Sequence, residues 1–286
     1  MRDLLLSRFS NSPITILGNA MRGFSLIELS IVLVILGLLT GGILAGQSLI
    51  RASELRSAGV QLQQYFTATM AFRDKYFAYP GDIANATSFW GKNSIACNSH
   101  AGTAATDGTC NGNGDGRIAT PTGGASLAGT TQEGFQFWNH LGKAGLIAGN
   151  YTGISGNTGS QKIIGTNSPQ IKLSPAAAIE LVNFGVHAGT NTAGGSNLYA
   201  MDYGLNAFAL GTLASTASGS PNESLFRPEE IWALDVKMDD GRPAYGKIIL
   251  RKWDVCSTST SQTDLTGDYL LSNNQIACAL IWRGLL

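Results

Sequence analysis

The sequence predicts an α+β protein: one long N-terminal α-helix whose first half is long enough to be transmembrane, packed on a body made of an antiparallel β-sheet with loop-rich insertions. Three observations lead there. Between Glu28 and Arg51 lie 22 residues without a charge. The helical spacing continues past that run toward Pro80. Beyond Pro80 the chain turns polar and Gly-rich, and its C-terminal part alternates apolar and polar residues around a DDG turn.

With 286 residues the chain is long enough to bury a sizeable core. Charged residues make up only 13% while glycine fills 36 positions, a balance that suits a secreted or surface protein better than a cytoplasmic enzyme. The first 23 residues take three of the 19 basic and one of the 19 acidic residues, so the remainder carries 16 basic against 18 acidic. A slightly acidic body is a poor electrostatic partner for the phosphate backbone, and no nucleic acid is expected as a ligand.

The 22 uncharged residues span about 33 Å as a helix, which matches a bilayer core of about 30 Å. A cleaved secretory signal has an apolar region of roughly 7 to 15 residues and then a cleavage site at its far end. Here the run is longer, and GQSLIRASELRSAGVQLQQYFTATMAFRDKYFAYP continues the helical pattern. Leu55, Gly59, Leu62, Phe66, Thr69, Arg73 and Tyr76 recur at steps of three and four and mark the face expected to meet the body. Arg51, Glu54, Arg56, Gln61, Gln63 and Asp74 fall off that face. Pro80 and Gly81 supply the stop, so a helix from Phe24 to about Phe77 would run roughly 80 Å.

The start of that run resembles the type III signal of type IV pilins and pseudopilins. Arg22 and Gly23 are followed by Phe24, Ser25, Leu26, Ile27 and Glu28, then by about twenty apolar residues. The resemblance implies that a prepilin peptidase cuts between Gly23 and Phe24, methylates the new amino-terminal Phe24, and leaves the apolar helix attached. It further implies a pilin-like fold, other pilin or pseudopilin subunits and an inner-membrane assembly platform as partners, and contact with membrane lipid. The implied location is the bacterial inner membrane, single-pass, with a periplasmic body. The chain then divides into a leader (1–23), a transmembrane half-helix (24–50), a periplasmic half-helix (51–79) and a globular body (80–286).

A carboxylate at the head of a membrane helix needs a partner or a purpose, because an acid deep in a bilayer costs about 2.5–3.5 kcal/mol. Cleavage would give Phe24 a cationic amine, and an acid in the first turn is favoured by the helix dipole. The resemblance implies that Glu28 pairs with the amine of a neighbouring subunit and registers assembly. Two features depart from the family. Where its pilins often carry a proline, this chain has Ala45, with Gly41, Gly42 and Gly46 nearby to loosen the helix or to pack closely against another. The leader also contains Met21, a second candidate start.

In the body, Asp82 is expected to cap a short helix holding Ile83, Phe89 and Trp90. The polar loop after it contains Asn111, Asn113 and Asp115 followed by Gly116 and Ile118, like the front of an EF-hand loop, and makes calcium a candidate ligand. Position twelve is Thr122 rather than Glu, so the alternative is an Asn/Gly turn closed by a disulfide. Four cysteines allow three pairings. Cys97 with Cys110 and Cys256 with Cys278 are favoured because each pair closes a short local loop beyond the apolar segment.

Thr130 and Glu133 stand in capping-box spacing before a helix expected from about Thr131 to Ala144, with Phe135, Trp138 and Leu141 on one face. Ser174 and Pro175 suggest a second short helix through Phe184. EEIWALDVKMDDGRPAYGKIILRKW reads as a hairpin about DDG, and QIACALIWRGL as a closing strand tethered by Cys278. Trp90, Trp138, Trp232 and Trp282 are expected in the core. His100, His140 and His187 form no H-E-x-x-H, and neither a nucleophile elbow nor a P-loop is present. The expectation is a non-enzymatic structural subunit, a minor pilin or pseudopilin. The rival is a membrane-anchored periplasmic enzyme or calcium-dependent binding module using the same export signal.

Overall fold

The computed structural model describes residues 24–92, 109–118, 133–156, 161–183, 185, 198–204, 206–213 and 221–283. Helix α1 runs Leu26–Tyr76. It stops because Phe77 turns into the left-handed region at φ 56°, and its N–H closes on the Arg73 carbonyl at 2.8 Å. Pro80 follows three residues later. The chain divides into two compact units between Leu49 and Ile50.

In the first unit every described side chain from Phe24 to Leu49 is exposed, apart from half-buried Gly46. This is the one described helix long and apolar enough to cross a membrane. Its hydroxyls turn back on the backbone: Ser30 donates to the Ile27 carbonyl, Thr40 to Leu36 and Ser48 to Ala45, each within 2.9 Å. Such self-satisfied polar groups cost little in lipid.

The second unit holds the rest of α1 and the body. Its buried α1 face is Ala58, Gly59, Gln61, Leu62, Tyr65, Ala68, Thr69 and Phe72. Gly59, Leu62 and Thr69 lie where the spacing placed them, but the stripe is rotated: Arg73 is exposed and Gln61 is buried. Gln61 turns inward because its amide donates to the Gln170 carbonyl (2.8 Å) and accepts the Lys172 N–H (3.0 Å), fastening the turn that precedes β1.

Four antiparallel strands form one sheet: β1 (Ala177–Val182), β2 (Ala207–Thr212), β3 (Ile248–Arg251) and β4 (Ala279–Arg283), in the order β1-β2-β4-β3. Strand β1 corrects the expected helix over 174–184. Six residue pairs join it to β2, and all six of its residues are buried. AAIELV is apolar but for Glu180, so it has neither a helical nor a strand period to read, and pairing decided. Strand β2, AFALGT in sequence, carries the same ambiguity and has no counterpart among the expected elements.

The expected hairpin over 229–253 is likewise corrected. Its first arm is helix α4 (Pro228–Met238), and only its second arm, β3, is a strand. Pro228 opens α4, and the Glu230 carboxylate accepts the Arg227 N–H at 2.9 Å. Ile231, Leu234 and Met238 then recur at helical spacing, and Leu234 and Met238 approach Gly59 of α1. An ideal Cβ on Gly59 would meet Leu234 Cδ1 at 3.3 Å.

Helix α3 (Glu133–Lys143) lies against β1, and Phe135, Trp138 and Leu141 are all buried as expected. Tyr65 of α1 meets the Trp138 ring at 5.1 Å, and Trp138 stacks on Phe208 of β2 at 6.0 Å. Thr130, the expected cap of α3, lies outside the described residues. Helix α2 (Ala86–Trp90) begins after Asn85, so Asp82 is not its cap and Ile83 is not in it. Trp138 and Trp282 are core, Trp90 packs partly against it, and Trp232 is 39% exposed on the outer face of α4. The short helix α5 (Trp253–Cys256) leads into the Cys256–Cys278 disulfide, which ties the loop after β3 to the start of β4.

Candidate functional site

Two residues set the amino-terminal geometry. The Ser25 carbonyl accepts the Leu29 N–H at 3.1 Å, the first intrahelical bond, which makes Ser25 the N-cap of α1. Its Oγ accepts the Ile27 N–H at 3.3 Å, while Glu28 Oε2 reaches back to the Ser25 N–H at 2.9 Å. Ser25-Leu26-Ile27-Glu28 thus holds the Glu28 half of a capping box, with the Ser25 hydroxyl on the N2 rather than the N3 amide, a local task for Glu28 that the S-x-x-E spacing encodes. One oxygen satisfies the helix end; Oε1 accepts nothing among the described residues. Phe24, directly before the cap, is 90% exposed. Gly23 lies outside the described residues.

Further along the apolar half, ideal Cβ atoms on Gly37, Gly41, Gly42 and Gly46 would meet nothing within 4 Å. The chain's own fold does not require glycine at any of the four.

The loop proposed from its Asn/Asp alternation is organised by Asp82. Asp82 Oδ1 accepts the Asp115 N–H and Oδ2 the Gly116 N–H, both at 3.0 Å. Burial raises the Asp82 carboxyl above its ordinary range, with those N–H donors opposing the rise. Asn111 Oδ1 accepts the Thr87 N–H (2.9 Å), Asn113 Oδ1 accepts the Asp115 N–H (3.0 Å) and Asp115 Oδ1 accepts the Arg117 N–H (2.8 Å). Asn113 also turns its Nδ2 to Asp115 Oδ2 at 3.0 Å. Each of the three side chains thus holds a backbone amide. Cys110 in this loop is disulfide-bonded, and Cys97, the partner expected from spacing, lies outside the described residues.

The polar face of α3 fastens that loop. Gln136 Oε1 accepts the Thr109 hydroxyl and the Cys110 N–H, while its Nε2 donates to the Gly153 carbonyl. His140 is fully buried: Nδ1 accepts the Gly81 N–H at 2.8 Å, and Nε2 faces Thr109 Oγ1 at 2.6 Å. Burial lowers its pKa to about 3, so it is neutral and structural. His100 and His187 lie outside the described residues.

A second acidic group closes α4. Asp235, Asp239 and Asp240 bring carboxylate oxygens within 4.8 Å of one another. Burial raises the Asp235 carboxyl to about 6; the Tyr269 hydroxyl and the Gly241 N–H oppose the rise, and Asp240 and Asp239 add to it.

Residues 18–44 match the family model of the prokaryotic N-terminal methylation motif, the type IV prepilin-type signal. No curated protein and no solved structure matches the chain.

Proposed function

Starting from the type IV prepilin-type signal that the chain carries, we propose that it is a structural subunit of a type IV pilus or a type II secretion pseudopilus, processed by prepilin peptidase and assembled through α1. The observation that carries this reading is the coincidence of that signal with a helix whose apolar first half is exposed from end to end. A signal made only for export would not need a 51-residue helix running from it into the core of the body. Cleavage falls after Gly23, Phe24 receives the methyl group, and the helix stays in the inner membrane with the body in the periplasm. The Cys256–Cys278 bridge supports an oxidising compartment for that body. A body of more than 200 residues favours a minor or specialised subunit over a minimal pilin.

Glu28 has two tasks in this reading. Oε2 caps its own helix, and the exposed remainder of the carboxylate meets the amine of a neighbouring subunit's Phe24. Glu28→Gln separates them, because the amide oxygen still accepts the Ser25 N–H but the charge is gone. Mass spectrometry of membrane-extracted protein should show a chain beginning at methylated Phe24 in wild type and variant alike. Incorporation of the variant into filaments should fall by roughly tenfold or more, the equivalent of about 1.4 kcal/mol. A mature chain starting beyond Arg51 removes the subunit reading; equal incorporation removes the role of the charge.

A further inference from the structure

Trp232, expected in the core, stands exposed on α4, and its place relative to Arg51 gives it a task. The uncharged run of α1 ends at Arg51, just after the exposed Leu49 and Ile50. Three segments of the body close on the Arg51 guanidinium. Glu230 accepts its Nε and Nη2 at 2.6 and 2.9 Å, the Leu225 carbonyl accepts Nη2 at 3.1 Å, and the Leu173 carbonyl accepts Nη1 at 3.4 Å. The body therefore begins within one side chain of the last residue that the hydrocarbon can hold.

From that point α4 runs alongside α1 in the same direction. Glu230 meets Arg51, while Leu234 and Met238 approach Gly59, which lies about 12 Å further along α1. At about 1.5 Å per residue, Trp232 is about 3 Å beyond Glu230 along α4, and Val236 is about 9 Å beyond it. A bilayer of about 40–45 Å with a hydrocarbon core of about 30 Å has a headgroup layer about 5–7 Å deep on each side. Trp232 falls inside that depth, and the exposed Val236, one turn later, falls outside it.

We infer that this end of the body is seated in the lipid headgroup layer, with phospholipid as its partner and Trp232 as its anchor. The inference rests on the reading that α1 stays in the membrane. Tryptophan suits that layer because its ring is apolar while its N–H needs a polar partner, which a lipid phosphate or ester oxygen supplies. Pro175 and Ala176, just past Leu173, add small exposed apolar surface. Three cations at this end, Arg51, Lys172 and Arg227, balance three acids, Glu54, Glu229 and Glu230, so lipid phosphates meet no excess of their own charge. A subunit waiting in the membrane is thus held by its body as well as by its helix, and the indole leaves the lipid when the helix does.

The test places the full-length chain in vesicles of phosphatidylethanolamine and phosphatidylglycerol, with part of the lipid brominated either near the headgroup or near the chain end. Subtracting the emission of Trp232→Phe from that of wild type isolates the Trp232 signal. Shallow bromines should quench that signal by about half or more, and deep bromines far less. Moving the indole one turn along α4, by Trp232→Phe together with Val236→Trp, should weaken the shallow quenching about twofold or more. Both positions are exposed, so both variants should unfold in detergent at the wild-type temperature. A Trp232 signal that shallow bromines leave unquenched, in a chain that floats with the vesicles, overturns this inference alone, whether water or a second copy covers the indole. Equal quenching at the two positions also overturns it. A chain that fails to float with the vesicles overturns the retained helix as well, and flotation reads that failure separately from quenching.

Discussion

His140 shows how a single buried side chain sets a pH response. In the fold it is neutral, accepts the Gly81 N–H and carries a pKa near 3, whereas an unfolded histidine titrates at 6.5. The unfolded chain therefore binds a proton that the folded one refuses, so stability is full above 6.5 and falls as pH drops toward 3. The slope from this residue is about 1.4 kcal/mol per pH unit. Denaturant melts between pH 6 and pH 4.5 should show it in wild type and a shallower slope in His140→Gln. The sequence holds no sign of this partner, because Gly81 lies 59 residues away and meets His140 only in the folded body. Ser25 and Glu28 are the opposite case: three residues apart, their contact was legible in the spacing alone.

Among elements, α1 and α4 are joined by one polar contact. Arg51 Nε donates to Glu230 Oε1 at 2.6 Å and its Nη2 to Oε2 at 2.9 Å, a fork on both oxygens, and Nη2 also reaches the Leu225 carbonyl at 3.1 Å. Burial raises the Glu230 pKa, but the Arg51 hydrogen bonds and the Arg227 N–H outweigh it, and the carboxyl ends below its ordinary 4.5. Its contribution is present above 4.5 and lost as pH falls further. Because Glu230 also caps α4, Arg51→Ala leaves a half-buried carboxylate with only its cap donor. A loss of about 1–3 kcal/mol in chemical denaturation is expected, and it should vanish in acid. The helical nature of α4 was readable from Pro228, the acids in its first turn and Gly241 beyond its end. The DDG turn suggested a hairpin because the same residues end a helix and turn a strand. For β1 no local signal existed: AAIELV suits either state, and its six pairs with β2 come from residues about thirty positions away.

At the scale of the molecule, the Cys256–Cys278 bridge closes a loop with a sequence separation of 22 and sits fully buried at the root of β4. A loop of that length restrains the unfolded chain by about 3 kcal/mol. The double variant Cys256→Ala with Cys278→Ala should lose about 2–4 kcal/mol of unfolding free energy, measured against wild type without reductant. What the sequence alone determined is the amino-terminal unit: its helix, its signal and its cap depend on residues within a few turns of one another, so spacing and charge carry them. The tertiary structure alone decided the rotation of the buried α1 face, the strand identity of β1 and β2, and the meeting of Asp235 with Tyr269. Those rest on hydrogen bonds and burial between segments far apart in the chain, and a local pattern holds no record of which distant backbone will come to complete it.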